Sequence, residues 1–237
     1  MQGITELVKE KAKELLSSGK AQRVLGWQKG EFMYDQTPQS FSKIEELDNL
    51  VYDSFSAPNL SKYLISESQK EGVTAVFLKP CDTYSFNQLL KEFRVKREKV
   101  YVVGVQCNGK LNYEKLTAAA GDRISEVLSD GLTVEVKTAS GKVEKFDSKD
   151  VLFDKCLACK GKEHKAYDEL LLSGEQLDVR GADKFKAVER LEKMTADERF
   201  EFWRNELSKC IRCNACRNVC PACSCLKCVF DNNASPV

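Results

Sequence analysis

Seven of the eleven cysteines in this 237-residue chain fall within one stretch of 19 residues near its C-terminus. Gaps of one to three residues between thiols leave no space for a hydrophobic core to form around them. So dense a run does not arise from core packing, and it indicates thiolates that surround a metal centre. The cysteines of this tail are Cys210, Cys213, Cys216, Cys220, Cys223, Cys225 and Cys228.

The first four tail cysteines have the spacing C-x2-C-x2-C-x3-C and are followed by Pro221. This is the spacing with which bacterial ferredoxins hold cubane iron–sulfur clusters. In such motifs three thiolates surround one cluster, and the fourth reaches a neighbouring cluster or starts a second site. The tail is therefore predicted to bind [4Fe–4S] clusters, with structural zinc as the alternative.

Composition restricts the class of protein further. The 37 basic and 36 acidic residues nearly balance, which argues against a nucleic-acid partner. The N-terminal segment has an amphipathic helical pattern instead of the apolar core of a secretory signal, and no stretch approaches the ~20 apolar residues of a membrane span. We therefore expect a cytoplasmic protein, in which reduced cysteines favour metal ligation over disulfides.

The spacing of apolar residues predicts an α/β fold with a mixed or mostly parallel sheet and flanking helices. Two continuous apolar strands joined by a helix, at 72–78, 83–93 and 99–105, predict a parallel β-α-β unit. Two further helices are predicted at 5–16 and 60–70, and a further strand at 23–27.

The second half of the chain contains a predicted hairpin and a predicted helix. Turn signals around 132–137 and 142–146 predict a β-hairpin at a sheet edge. A capping box from Thr195 to Glu198 predicts a helix that ends near Ser208 and leads to the cysteine-rich tail. Two domains are predicted: an α/β iron–sulfur domain over 1–194 and a small, helical, ferredoxin-like iron–sulfur module over 195–237.

The four remaining cysteines occupy positions from which they can share one site. Cys81 and Cys107 follow the two predicted buried strands, and the carboxyl ends of adjacent parallel strands lie at one sheet edge, where α/β proteins bind ligands. Cys156 and Cys159 form a C-x2-C pair that can meet one metal site. Four thiolates are the number that a [4Fe–4S] cubane needs. The alternatives are zinc, or burial of Cys81 and Cys107 in the core.

This pattern resembles the beta subunits of coenzyme-F (deazaflavin) hydrogenases and of the related formate dehydrogenases, over roughly residues 60–175. The resemblance implies that the four cysteines hold one [4Fe–4S] cluster. It also implies partner subunits of a heterodisulfide-reductase-like, hydrogenase or formate dehydrogenase complex. The motifs that carry it are Pro80-Cys81, Gly104-Val-Gln-Cys107 and Cys156-Leu-Ala-Cys159.

Two departures from that family bear on function. The family's flavoenzymes have a glycine-rich segment near the N-terminus that helps to seat FAD, whereas this chain has no Gly-Gly pair before residue 80. Several relatives also carry their ferredoxin-like cysteines upstream of this position. We therefore favour a subunit that relays single electrons, with no catalytic residue assigned. The alternative is an FAD-containing subunit that converts hydride from a deazaflavin or NAD(P)H into single electrons.

The number of clusters stays open. Eleven cysteines supply the ligands of two cubanes, which is the minimum, and leave three thiols over. A third cubane would need a non-cysteine ligand, such as Asp231, or an open iron.

Several charged side chains are also notable. His164, the only histidine, is predicted to be a solvated surface residue. The basic stretch 91–99 is predicted to be a solvated face, with docking of an acidic redox partner as the alternative. Lys209, Arg212 and Arg217 flank the tail cysteines, where cations would oppose the negative charge of a cubane and raise its potential.

Overall fold

Two β-sheets organise the α/β structure, which a computed structural model describes for residues 2–161, 163–173, 183–225 and 228. The strands are β1 (Arg23–Lys29), β2 (Gln36–Phe41), β3 (Leu50–Val51), β4 (Thr74–Leu78), β5 (Val100–Val105), β6 (Ile124–Ser129), β7 (Thr133–Thr138), β8 (Val143–Asp147) and β9 (Glu169–Leu171). The helices are α1 (Gln2–Ser17), α2 (Leu64–Glu67), α3 (Pro80–Lys91), α4 (Tyr113–Ala120), α5 (Ser148–Val151), α6 (Asp154–Leu157), α7 (Lys186–Glu192), α8 (Ala196–Ser208) and α9 (Ala215–Val219).

The larger sheet is mixed and has the order β2-β1-β4-β5-β9, with β3 pairing to β1 as well. The neighbours β1, β4, β5 and β9 are parallel, while β2 and β3 run antiparallel to β1. In the central pair, Thr74 lies opposite Val100 and Leu78 lies opposite Gly104. The predicted fold class and its parallel β-α-β unit are therefore confirmed.

The core lies between the larger sheet and the helices that cover it. All five residues of β4 are buried, which is why this strand reads as a continuous apolar run. Helix α1 places Val8 and Leu15 against the sheet at helical spacing, and α3 contributes Phe86 and Leu89 to the same core. Trp27 is fully buried, and its indole N–H donates to the carbonyl of Pro58 at 3.0 Å.

The predicted hairpin forms as β7 and β8, and β8 is an edge strand, although it does not belong to the larger sheet. Strands β6, β7 and β8 make a separate three-stranded antiparallel sheet. Val134 and Val136 lie on one face of β7 and pack with Leu116 and Leu152 in a second hydrophobic core. The alternation of apolar and polar residues along a hairpin shows that one of its faces is buried. It does not show which element covers that face.

Other elements differ from the prediction in extent. The helix expected at 83–93 begins at Pro80, because the fixed φ of proline suits the first helical position. The helix expected at 60–70 is a 3₁₀ turn over Ser61–Tyr63 followed by the short α2. Strands β2 and β9 were not predicted. In β2 the strand signal is broken by Pro38, which is accommodated because β2 is an edge strand.

The buried position of Phe77 in β4 gives a test of this core. We expect Phe77→Ala to lower the free energy of unfolding by about 3–5 kcal/mol, because it leaves a cavity beside the central strands. Phe93→Ala is the matched control: Phe93 is 93% exposed, so its loss should cost no more than about 0.5 kcal/mol. Urea unfolding followed by circular dichroism measures both values, and equal costs would contradict this placement of β4.

Candidate metal centre

A cavity of about 270 Å³ lies at the carboxyl ends of β4 and β5. It brings together the four cysteines that lie outside the tail: Cys81, Cys107, Cys156 and Cys159. Cys81 lies in the first turn of α3, three residues beyond β4, and Cys107 lies two residues beyond β5. Because β4 and β5 are parallel and in register, both thiols reach the same edge of the sheet.

The C-x2-C loop reaches this edge through backbone contacts. An isolated β-bridge joins Leu111 to Leu152, and the N–H of Phe153 donates to the carbonyl of Lys110 at 3.0 Å. These contacts close the chain after its excursion through the smaller sheet. Helix α6 then carries Cys156 to the cavity.

Gly161 fits the C-x2-C loop closely against α3. Its N–H donates to Cys159 Sγ at 3.2 Å. A Cβ atom at this position would lie 2.8 Å from the backbone nitrogen of Cys81 and 3.3 Å from Cys159 Sγ. A larger residue here would separate the two cysteines, so the site requires glycine for steric reasons.

Two of these thiols, Cys81 and Cys156, favour their protonated form. A hydrogen bond with Cys159, burial and the nearby Asp82 carboxylate together raise the pKa of Cys81, although part of the residue is exposed at the cavity mouth. Burial also raises the pKa of Cys156, against the opposing effect of the Lys110 backbone N–H. Since a metal binds thiolates, metal uptake at this cavity must release protons.

Two buried lysines line the same cavity, and sequence reasoning missed both. Lys79 and Lys110 are 2% and 3% exposed, although lysine is rarely buried unless its charge is balanced. The ammonium of Lys79 lies 2.8 Å from a carboxylate oxygen of Asp82 and 4.4 Å from the ring centroid of Trp27. The signal in the sequence was the position of each lysine, two or three residues from a candidate ligand.

Lys110 is held differently. Its ammonium donates to the backbone carbonyl of Asp53 and lies 4.0 Å from the ring centroid of Tyr52. Burial lowers the pKa of Lys110, while the field of Cys107 acts in the opposite direction. The hydroxyl of Tyr52 in turn donates to the carbonyl of Gln106 at 2.6 Å, which fixes the loop that carries Cys107.

The size of the cavity and its donors fit a cluster better than one metal ion. Zinc would need four sulfurs about 2.3 Å from a single point. Within the part of the chain that the structure describes, no three Cys, His, Asp or Glu side chains converge on one ion. The cavity, of about 270 Å³, is larger than a single ion requires. A [4Fe–4S] core has eight atoms, and all four donors here are thiols.

The tail cysteines begin where α8 ends, and the predicted capping box of this helix is confirmed. The N–H of Arg212 donates to Cys210 Sγ at 3.4 Å. Arg212 and Asn214 both have left-handed backbone conformations, with φ of 58° and 60°, and they turn the chain between successive cysteines. The tail thiols are exposed or half-buried. Asp231 lies outside the described residues.

Polar contacts place the tail against the C-terminal end of α3. Lys62 donates to the backbone carbonyl of Arg217, and Arg94 donates to that of Ser224. The hydroxyl of Ser224 donates to Glu92 at 2.8 Å. Arg94 is therefore half-buried against the tail, and the prediction that the whole basic stretch 91–99 is a solvated face is wrong at this residue.

The prediction that His164 is a solvated surface residue is also wrong. Its ring packs onto Gly104 of β5, where a Cβ atom would lie 2.7 Å from the imidazole. Its Nε2 donates to the carbonyl of Val105 at 3.1 Å, and burial lowers the pKa of the ring. The charged residues around His164 obscured this packing in the sequence.

The fold and the cavity define a cysteine-rich α/β protein with an all-thiol site at its sheet edge. The F420-dependent formate dehydrogenase 1 subunit beta of Methanococcus maripaludis is 25% identical, over 92% of this chain and 72% of the relative. The F420-dependent formate dehydrogenase subunit beta of Methanocaldococcus jannaschii is 23% identical, over 93% of this chain and 73% of the relative. The resemblance predicted from the cysteine motifs is confirmed, and it extends beyond residues 60–175.

A solved structure has a similar fold. A chain of the F420-reducing [NiFe] hydrogenase complex from Methanosarcina barkeri, solved in a xenon-derivatization study, superposes with a TM-score of 0.52 and 14% identity. The superposition covers 66% of this chain, which spans 58% of the hydrogenase chain. No protein-family model matches the sequence. In the described part of the chain, no helix combines the length and the apolar character needed to cross a bilayer.

The close approach at Gly161 gives a test of the site's geometry. We expect Gly161→Ala to lower the iron bound per chain after anaerobic reconstitution, because the added methyl pushes the C-x2-C loop away from the backbone of Cys81. Gly3→Ala is the control, since a Cβ atom there meets no atom within 4 Å. Iron analysis of both variants measures the effect, and wild-type iron in Gly161→Ala would argue against this packing.

Proposed function

We propose that this protein is an iron–sulfur electron-transfer subunit of a larger oxidoreductase complex, in which it relays single electrons through two or three [4Fe–4S] clusters. The observation that carries the proposal is the single cavity lined by four thiols and two buried lysines. A thiolate-ligated cluster is negatively charged, so an all-thiol site with cations in its wall has the chemistry that such a cluster requires.

In this proposal the four cysteines outside the tail hold one cluster. When bound, that cluster supplies a one-electron carrier. The chain contributes the ligands and the N–H donors to their sulfurs, from Gly161 to Cys159 and from Lys110 to Cys156. Such donors, together with burial and local charge, are the means by which a protein sets a cluster's potential.

The tail would hold the further cluster or clusters, as a separate module over 195–237. Its contacts through Ser224 lie at the far end of α3 from Cys81. Arg217, by contrast, contacts Lys62, in the 3₁₀ turn whose Ser61 hydroxyl donates to the carbonyl of Asp82. With 12 residues at 1.5 Å each, α3 is about 18 Å long. The part of the tail around Ser224 would then lie about one helix length from the cavity, which supports a relay from the sheet edge to the exposed tail.

The names of the relatives are the basis for proposing partner subunits. Both curated relatives are named as beta subunits of formate dehydrogenases, and the similar solved fold comes from a hydrogenase complex. We propose a partner from a formate dehydrogenase, hydrogenase or heterodisulfide-reductase-like assembly. The tail is suited to that contact because most of its thiols are exposed.

The second candidate function is an FAD-containing subunit that takes hydride from a deazaflavin and releases single electrons. The observation in its favour is similarity over more than nine-tenths of the chain to two proteins named F420-dependent. A second cavity, of about 640 Å³ and lined by Met33, Phe55 and residues of β6, has the volume of a small-molecule site. Release of FAD from denatured, anaerobically purified protein would favour this candidate.

Cysteine substitutions test the shared cluster. Cys81→Ser and Cys156→Ser should each remove about four irons per chain, because each deletes one ligand of the same cubane. The double variant should lose no more iron than either single variant. Iron analysis, with electron paramagnetic resonance of the dithionite-reduced tail as the internal control, makes the measurement. Full iron in both single variants would overturn the assignment.

Electron donors distinguish the two candidate functions. The purified, cluster-loaded chain should accept electrons from dithionite or reduced ferredoxin, observed as bleaching of its visible absorbance. It should not reduce viologen dyes with NADH, NADPH or a reduced deazaflavin, even with added FAD, because a relay has no site for hydride transfer. Turnover with any of these hydride donors would replace the relay with the FAD-containing subunit.

A further inference from the structure

Two buried lysines line the cysteine cavity, and a carboxylate neutralises the charge of only one of them. Lys79 forms an ion pair with Asp82, whose side chain is 2% exposed, so the protein itself neutralises this cation. No carboxylate lies within 4.0 Å of the ammonium of Lys110 among the residues that the structure describes. Its partners are the Asp53 carbonyl and the face of Tyr52.

The carboxylate of Asp53, whose backbone carbonyl accepts from Lys110, is engaged elsewhere. It accepts hydrogen bonds from the amide of Gln36 at 2.8 Å and 2.9 Å and from the N–H of Phe55 at 2.7 Å. The Asp53 carboxylate therefore acts on Lys110 only from a distance. A buried ammonium is costly unless an opposite charge lies nearby.

The groups that can provide this opposite charge are the thiols of the cavity. Lys110 lines the same cavity as Cys107 and Cys156, and its backbone N–H is a hydrogen-bond donor to Cys156. When these cysteines bind a metal centre they do so as thiolates, so a negative charge forms next to the ammonium. The side chain of Lys110 is thus complementary to the loaded form of the site.

We propose that Lys110 is the internal counterion of the cluster held by Cys81, Cys107, Cys156 and Cys159, and that its charge raises the reduction potential of that cluster. The inference rests on the proposed function, because it requires a cluster at this site. Reduction adds one negative charge to a cluster that is already anionic. A buried cation that lines the same cavity stabilises the reduced form more than the oxidised form.

The architecture allows this charge to be removed without removing the loop contacts of Lys110. The hydrogen bonds to Cys156 and from Phe153 use the backbone of Lys110 and do not involve its side chain. Methionine matches the length of the buried stem and lacks the charge, whereas arginine keeps the charge. Lys155 provides the matched control, because it lines the same cavity but is exposed to solvent that screens its charge.

The test is a redox titration of the anaerobically reconstituted full-length chain, followed by electron paramagnetic resonance. The component that Cys81→Ser abolishes belongs to this site, and the tail component is the internal reference. In a Lys110→Met variant with wild-type iron content, the component that Cys81→Ser abolishes should have a lower reduction potential than in the wild type. The reduction potential of the tail component should not change. Lys110→Arg should titrate close to wild type, and Lys155→Met should shift less than Lys110→Met.

The outcomes separate this inference from the proposed function. An iron-replete Lys110→Met that titrates like the wild type overturns the counterion role and leaves the relay intact. Loss of the cluster from Lys110→Met but not from Lys110→Arg supports the requirement for a charge. Loss of the cluster from both variants would show that the Lys110 side chain is needed for packing, and it would overturn the inference. If the wild-type chain binds no cluster at this site, the proposed function itself is wrong.

Discussion

The parallel pairing of β4 with β5 is the constraint on which the site depends. Parallel neighbours end at the same edge, so the residues that follow them are brought together whatever else the fold does. Cys81 and Cys107 are neighbours for this reason, although a helix and a strand separate them in sequence. The helix that crosses between the strands then begins at the site, and its other end contacts the tail. One pairing thus fixes both the cavity and the direction toward the second group of cysteines.

The protein balances the charges of the two buried lysines unequally: Lys79 is paired with Asp82, and Lys110 donates to a backbone carbonyl. The pKa values of Cys81 and Cys156 are raised, so these thiols are neutral, while Lys79 and Lys110 are buried beside them. With the proposed cluster bound, neutral thiols become anionic ligands, and Lys110 then has an opposite charge in the cavity that it lines. Binding of the metal centre and stability of the sheet edge are therefore coupled, as is usual where ligands are preassembled around a site that must lose protons to be filled.

Much of this organisation could be predicted from the sequence, because the relevant signals are local. Apolar runs predicted β4 and β5, and a capping box predicted α8. The position of Cys81 after a strand predicted its place at the sheet edge. The features that could not be predicted depend on packing between distant segments. Burial of Lys110, the close approach of Gly161 to α3 and the packing of His164 on β5 each need a neighbour that no local pattern specifies.

The smaller sheet is an excursion between the second and third cysteines of the cavity, and its two ends are joined. The bridge from Leu111 to Leu152 brings the chain back to within a few residues of where it left. The excursion has its own hydrophobic core and lies outside the larger sheet. This core is not independent of the thiols, because Cys156 and Leu157 of the C-x2-C loop pack against it. The smaller sheet therefore supports one ligand of the cavity, and a change in the packing of its core reaches Cys156 without passing through the larger sheet.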